Sequence, residues 1–217
     1  MVDSTEAVGA LALLSPIEAR ILGSLIEKQA TTPESYPLTA NALVVAGNQK
    51  TNREPVLELE PGEVGHALRE MTGKGLVRIV DGARALRYEH RFASTYSITS
   101  RQQALLAVLL LRGPQTLAEL HTRCERLAPF ANTDEVRETL ERLVQRTPTL
   151  VVNLGRGAGQ REDRYMHLLC GPVSAGDFAA AADEVAPSKR GDLEARLDAL
   201  ESEVATLRRE LDALRDR

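Results

Sequence analysis

The tetrapeptide Arg87-Tyr88-Glu89-His90 recurs as Arg164-Tyr165-Met166-His167, and each copy closes the same larger pattern. An amphipathic helix comes first, then a Leu-Val strand (Leu76-Val77, Leu150-Val151), a Gly-containing turn, and the tetrapeptide itself. The spacing is an internal duplication with a period of roughly 75–85 residues, too long for a solenoid repeat and right for a small domain. The chain must therefore fold twice into one short plan in which helices precede a strand, a turn and a strand. That order is the order of a winged helix.

The chain has 217 residues, enough for two small domains and a tail. With 43% apolar but only 3% aromatic residues and no Trp, the cores must be built from Leu, Val and Ala, which favours helices. The formal net charge of −4 argues against a general nucleic-acid coat, because nonspecific affinity for DNA comes from Lys and Arg neutralising phosphates. Any contact with DNA must come from a local basic face. Two cysteines, Cys124 and Cys170, are too few for a disulfide framework and suit a reducing cytosol. Asp3 and Glu6 precede a short apolar run, unlike a secretory signal, and no stretch approaches a membrane span. The expectation is a soluble, cytoplasmic protein.

Residues 1–14 read as a flexible leader. Ser15-Pro16-Ile17-Glu18 is a complete helix start, with Ser15 as cap, Pro16 at the first helical position and Glu18 closing a capping box. Ile17, Ile21, Leu22, Leu25 and Ile26 make one apolar stripe running to about Gln29. A Pro-punctuated connection leads to a second helix from about Leu38 to Ala46. A third spans roughly Gly62 to Lys74 with Val64, Ala67, Leu68 and Met71 inward. Leu76 to Val80, Asp81-Gly82 and Leu86 to His90 read as a hairpin.

The second copy begins near Ser100. A very apolar helix from Arg101 to Leu111 is stopped by Gly113-Pro114. Thr116 caps a helix to about Leu127, and Asn132 and Thr133 cap another from Asp134 to Gln145. Leu150 to Leu154, Gly155 to Gly159 and Arg164 to Leu169 make the second hairpin. The expected fold class is α+β, mainly α with small β wings. The first domain covers residues 15–96, the second 97–171, a linker 172–188 and a coiled-coil helix 189–217.

The two copies differ in charge. Residues 61–95 hold six Lys/Arg against four Asp/Glu, with Arg69 and Lys74 on the third helix and Arg84 and Arg87 on the hairpin. In the second copy Asp134, Glu135, Glu138 and Glu141 counter Arg137 and Arg142, and Glu162 and Asp163 counter Arg156, Arg161 and Arg164. Only the first copy reads as a nucleic-acid contact; the alternative is that its charges merely solvate the surface. The first copy also carries about a dozen residues, Gly47 to Glu60, between its second and third helices, where a tight helix-turn-helix has three or four. This insert opens Asn48-Gln49-Lys50-Thr51-Asn52-Arg53. Its amides and cations suit base edges and phosphates, or the amides cap and close the loop. Asn48 and Asn52 lean toward loop closure, Lys50 and Arg53 toward binding. The candidate nucleic-acid-binding set is Asn48, Gln49, Lys50, Asn52, Arg53, Arg69, Lys74, Arg84 and Arg87.

Tyr36-Pro37-Leu38 with Asn41, followed by Asn48-Gln49-Lys50-Thr51-Asn52-Arg53-Glu54-Pro55, resembles the YceH family of bacterial proteins across about residues 14–172. The resemblance implies two tandem winged-helix domains, in agreement with the repeat, and implies no reaction or partner.

Other chemistry falls away on spacing. His121-x-x-Cys124 and His167-x-x-Cys170 have local zinc-ligand spacing, but no further cysteines support them and the second pair spans a strand. Gly155-Arg156-Gly157-Ala158-Gly159 lacks the Gly-Lys-Ser/Thr ending of a phosphate loop. No activated nucleophile or carboxylate pair stands out, so the expectation is a protein without enzymatic activity, cofactor or metal. Two functions fit: a dimeric regulator binding double-stranded DNA, or a scaffold whose winged helices and insert dock a protein partner.

The tail bears on both. Leu193, Leu197, Leu200, Val204, Leu207, Leu211 and Leu214 form a strict heptad seam. In a parallel homodimer the flanking pairs are Lys189–Glu194, Arg196–Glu201, Glu203–Arg208 and Glu210–Arg215, all opposite in sign. An antiparallel pairing on the same seam would set Glu203 against Glu210. Exposed pairs add little stability, so they select orientation. Deleting residues 189–217 is expected to shift the particle toward monomer in analytical ultracentrifugation; an unchanged mass would overturn dimerisation through this seam.

Overall fold

A computed structural model of the chain describes residues 13–80, 82, 85–157 and 160–173. The linker, the heptad seam from Leu193 to Leu214, and Arg84 lie outside the described residues. The protein is a mixture of helices and small antiparallel sheets, as an α+β chain should be.

The first repeat opens with helix α1, Pro16–Thr31, and its start is the capping box that the sequence predicts. The Glu18 amide donates to Ser15 Oγ and the Ser15 amide donates to the Glu18 carboxylate, satisfying two orphan donors at once. Next comes a short strand, β1 (Leu38–Thr39), then α2 (Ala40–Gly47), α3 (Pro61–Gly73), β2 (Val77–Val80) and β3 (Arg87–His90). The sequence places the second helix from Leu38, but Thr39 is extended and caps α2 by accepting from the Ala42 amide. That frees Leu38 and Thr39 to pair with Tyr88 and Arg87, giving a three-stranded sheet in the order β1-β3-β2. Val80 pairs with Arg87, so the hairpin connection is residues 81–86, one residue longer than strands ending at Val80 and starting at Leu86 would leave.

A short helix, α4 (Phe92–Tyr96), leads into the second repeat: α5 (Ser100–Arg112), α6 (Leu117–Cys124), α7 (Thr133–Val144), β4 (Val151–Gly155) and β5 (Arg164–His167). Here a single bridge between Gln115 and Tyr165 takes the place of β1. The duplication extends to individual bonds. Arg87 donates to the Pro37 carbonyl at 2.6 Å, and Arg164 to the Pro114 carbonyl at 3.0 Å. Leu76 accepts from the Arg91 amide as Leu150 accepts from the Leu168 amide. In both repeats the arginine of Arg-Tyr-x-His ties the last strand to the proline segment before the second helix.

The two repeats share one core. Its centre is α1 against α5, the most extensive contact between helices. Every residue from Glu18 to Ile26 on α1 is buried, as is every residue from Ala104 to Leu111 on α5. Such helices are covered all round, α2 and α3 on one side of α1 and α6 and α7 beside α5. Gly23 permits the approach: a Cβ there would lie 2.8 Å from Leu111 Cγ and 3.2 Å from Leu110 Cβ. The ends are tied as well, the Leu14 amide donating to Leu169 and the Arg146 guanidinium to Tyr96 and Ser97 carbonyls.

The histidines of the two tetrapeptides, His90 and His167, are buried, and burial lowers each pKa to about 4. His90 Nε2 is 2.8 Å from Gln29 Oε1, and its amide donates to the Tyr36 hydroxyl. Both rings are neutral in the folded state, while an unfolded histidine titrates near 6.5. Their contribution is complete above about pH 6.5 and is lost as pH falls toward 4. Urea denaturation is therefore expected to lose on the order of 2 kcal/mol per histidine between pH 7 and pH 4.5. A flat stability profile over that range would contradict the neutral burial of both rings.

Candidate nucleic-acid interface

The insert between α2 and α3 is a clasp. Asn48 closes its ends with a paired contact to the Leu59 backbone, donating to the carbonyl at 2.9 Å and accepting from the amide at 2.7 Å. Arg53 turns inward with its side chain fully buried. Its Nε donates to the Ala46 carbonyl, and its two terminal nitrogens reach the two Glu27 oxygens at 3.1 and 2.6 Å. A bidentate guanidinium–carboxylate pair of this kind is both strong and directional. Beside it, Arg20 is buried and donates to the Gly47 and Pro55 carbonyls, its pKa lowered to about 10 by burial and then by the Arg53 charge. Both cations hold the insert to α1 from within.

The same insert reaches the second repeat. The Glu54 amide donates to the Leu111 carbonyl at the end of α5. Asn52, held at φ 62, accepts from the Arg112 guanidinium. Asparagine tolerates this left-handed backbone better than most residues. The loop that departs from a tight helix-turn-helix thus joins the two repeats.

This geometry sorts the predicted residues. Arg53, read from the sequence as a binding cation, is corrected to a buried structural pin, because each of its three nitrogens is already hydrogen-bonded within the fold. Asn48 and Asn52 are likewise occupied with the loop and with Arg112. Lys74 is half-buried and bonded to the Glu18 carboxylate at 2.7 Å and to the Leu13 carbonyl. Arg87 is exposed but anchored on the Pro37 carbonyl. Lys50 and Arg69 are exposed and Gln49 half-buried, so these three remain accessible; Arg84 lies outside the described residues.

The feature that charge counting missed is the open face of α3. Gly62, Gly65, His66, Arg69 and Gly73 fall on one side of the helix at about 100° per residue. A Cβ at Gly62 or Gly73 would meet nothing within 4 Å, and one at Gly65 only the Arg69 guanidinium at 3.7 Å. Glycine inside a helix costs roughly 0.5–1 kcal/mol relative to alanine, and no neighbour within the protein requires it at Gly65, while Gly62 and Gly73 lie in the first and last turns. Glu63, Glu70 and Lys74 lie to one side, lining a groove with Ile17 and Glu18. The acidic residues therefore lie beside the Arg69 face, with His66 bordering both. The signal was legible as glycines at positions 62, 65 and 73 of a helix whose inward stripe was already known.

The fold and this surface define a two-repeat, helix-rich α+β protein whose third helix in the first repeat presents a glycine-rich face bearing Arg69. Residues 14–160 match the family described as "Protein of unknown function, DUF480", and the chain belongs to that family. It is 55% identical to a UPF0502 protein of Mesorhizobium japonicum over 94% of this chain and 97% of the relative. It is 54% identical to a UPF0502 protein of Xanthomonas campestris over 94% of each chain. A UPF0502 protein of Stenotrophomonas maltophilia is 51% identical over 99% of this chain and all of the relative. The family resemblance seen in the insert therefore holds. Among the described residues, no helix is long and apolar enough to cross a membrane.

Glu27→Ala would strand the Arg53 charge in the interior. Breaking a buried pair in this way is expected to lower the unfolding free energy by about 3–5 kcal/mol, read from the urea midpoint. Lys50→Ala should leave it within about 0.5 kcal/mol.

Proposed function

We propose that this protein is a non-enzymatic, cytoplasmic regulator that binds double-stranded DNA through tandem winged-helix domains, as a parallel homodimer joined by its C-terminal heptad helix. The element order, with β1-β3-β2 closing three helices in the first repeat, supports the winged-helix assignment. In such domains the third helix enters the major groove and the hairpin reaches the backbone. The observation that carries the reading is the glycine face of α3. Without side chains at 62, 65 and 73, the helix backbone can come close to a groove floor, with Arg69 placed for a base edge or phosphate. Lys50 in the insert and Arg91 beside the hairpin add accessible cations, and Arg78 is exposed but paired with Glu89 at 2.6 Å.

A second reading, a protein-docking scaffold, draws on the exposed apolar side chains of Val45 on α2 and Val56 in the insert. Salt dependence separates the two. Binding to a pool of genomic duplexes, followed by fluorescence anisotropy, should weaken steeply as salt rises. Arg69→Ala and Lys50→Ala should each lower the slope of log affinity against log salt by about 0.9 if each cation holds one phosphate. Gly65→Leu should cut DNA affinity without loss of fold. Absent or salt-insensitive binding would favour the scaffold.

A further inference from the structure

We infer that the second repeat carries a phosphate-binding cleft of its own, formed between the starts of α6 and α7 and the second hairpin. The cleft has a volume of about 390 Å³ and is lined by Arg137 on α7 and by Arg156 and Arg161 on the hairpin connection. Three guanidinium groups at one small concavity are a donor set matched to the several acceptor oxygens of a phosphate. The Thr133 hydroxyl and the first residues of α6, Leu117 and Ala118, complete the wall. Thr116 and Glu119 cap each other across the α6 start, which leaves the Leu117 and Ala118 amides at the positive end of the helix.

Tyr165, the tyrosine of the second tetrapeptide, is only 8% exposed and lines the cleft. Its packed ring brings a further polar side chain to the cleft wall. Burial raises its pKa, as do the charges of Asp163 and Glu141 against that of Arg137, so at neutral pH it is a donor. A phosphate oxygen in the cleft would give that donor an acceptor.

The carboxylates nearby set the ligand's character. Asp134 pairs with Arg137 and Asp163 with Arg156 at 3.3 Å, and Glu162 also lines the wall. These pairs are exposed and weak individually, so a compact dianion can draw the arginines from them while a neutral ligand gains nothing. The third helix of the first repeat has no counterpart of Arg137. Its buried residues Val64, Ala67, Leu68 and Met71 match Val136, Thr139, Leu140 and Leu143 in spacing, which sets Gly65 where the second repeat has Arg137. The two copies of one scaffold thus present a bare helix face in one case and an arginine-lined cleft in the other.

The test is a 31P NMR titration of inorganic phosphate with the full-length protein, alongside Arg137→Gln, Arg161→Gln and Tyr165→Phe. Saturable binding is expected, weakened about tenfold or more by either exposed arginine change and less by loss of the hydroxyl. Arg69→Ala should leave it unchanged. No saturable binding, or binding indifferent to both arginine variants while circular dichroism reports an intact fold, would overturn the cleft. A competition arm identifies the source of the phosphate. Displacement of labelled duplex DNA by phosphate, with weaker DNA binding in Arg161→Gln, assigns the cleft to the DNA backbone. Phosphate binding without displacement assigns it to a free phosphorylated compound. The cleft and the α3 face fail separately, since Arg69→Ala reads only the latter.

Discussion

The contact of α1 with α5 is the constraint on which the described structure depends. Each is the first helix of its repeat and would, in a lone domain, cover one face with its own second and third helices. Here each is also covered by the other, at a separation that only a glycine at position 23 permits against Leu110 and Leu111. Burial all round explains why α5 lacks a polar face and why the cores of the two repeats run together. The insert then acts at the margin of this contact. Arg20 and Arg53 hold it to α1, and Asn52 and Glu54 hold it to the end of α5.

Duplication kept the framework and released the surface. The two copies use the same arginine-to-proline-carbonyl bond, the same Thr cap on the second helix and the same buried strand histidine. These bonds satisfy backbone groups or fill the core, and neither copy can change them without exposing an unpaired polar atom. The outward positions of the third helices carry no such duty. There Gly65 faces Arg137 across the alignment of the repeats, and Arg69 faces Glu141. Chemistry has diverged where packing does not decide the residue.

The buried cations show how a binding signature and a structural one can look alike. A run of amides and cations between two helices reads as a recognition loop. In the fold, Asn48 closes the loop, Arg53 neutralises Glu27 and Asn52 holds Arg112, so of the amides and cations in that segment Gln49 and Lys50 are left without such a tie. Arginine suits both tasks for the same reason, since its planar fork meets a carboxylate or carbonyls as well as it meets a phosphate.

The sequence by itself determined the duplication, the element order and the capped helix starts, because these depend on residues within a few positions of one another. Ser15 and Glu18 are three apart and Thr116 sits at the start of the helix it caps, whereas the box of Thr99 with Gln102 has the same spacing but shows itself only in the structure. It missed β1, because Leu38 and Thr39 become a strand only when Tyr88 and Arg87 lie beside them. It also determined the heptad charge pattern of the tail. Which cations remain accessible was decided only by the tertiary structure. Glu27 meets Arg53 across 26 positions, Glu18 meets Lys74 across 56, and Arg87 meets the Pro37 carbonyl across 50. Pairings at such separations leave no local pattern, so a charge that counts toward a basic face in the chain can be spent inside the fold.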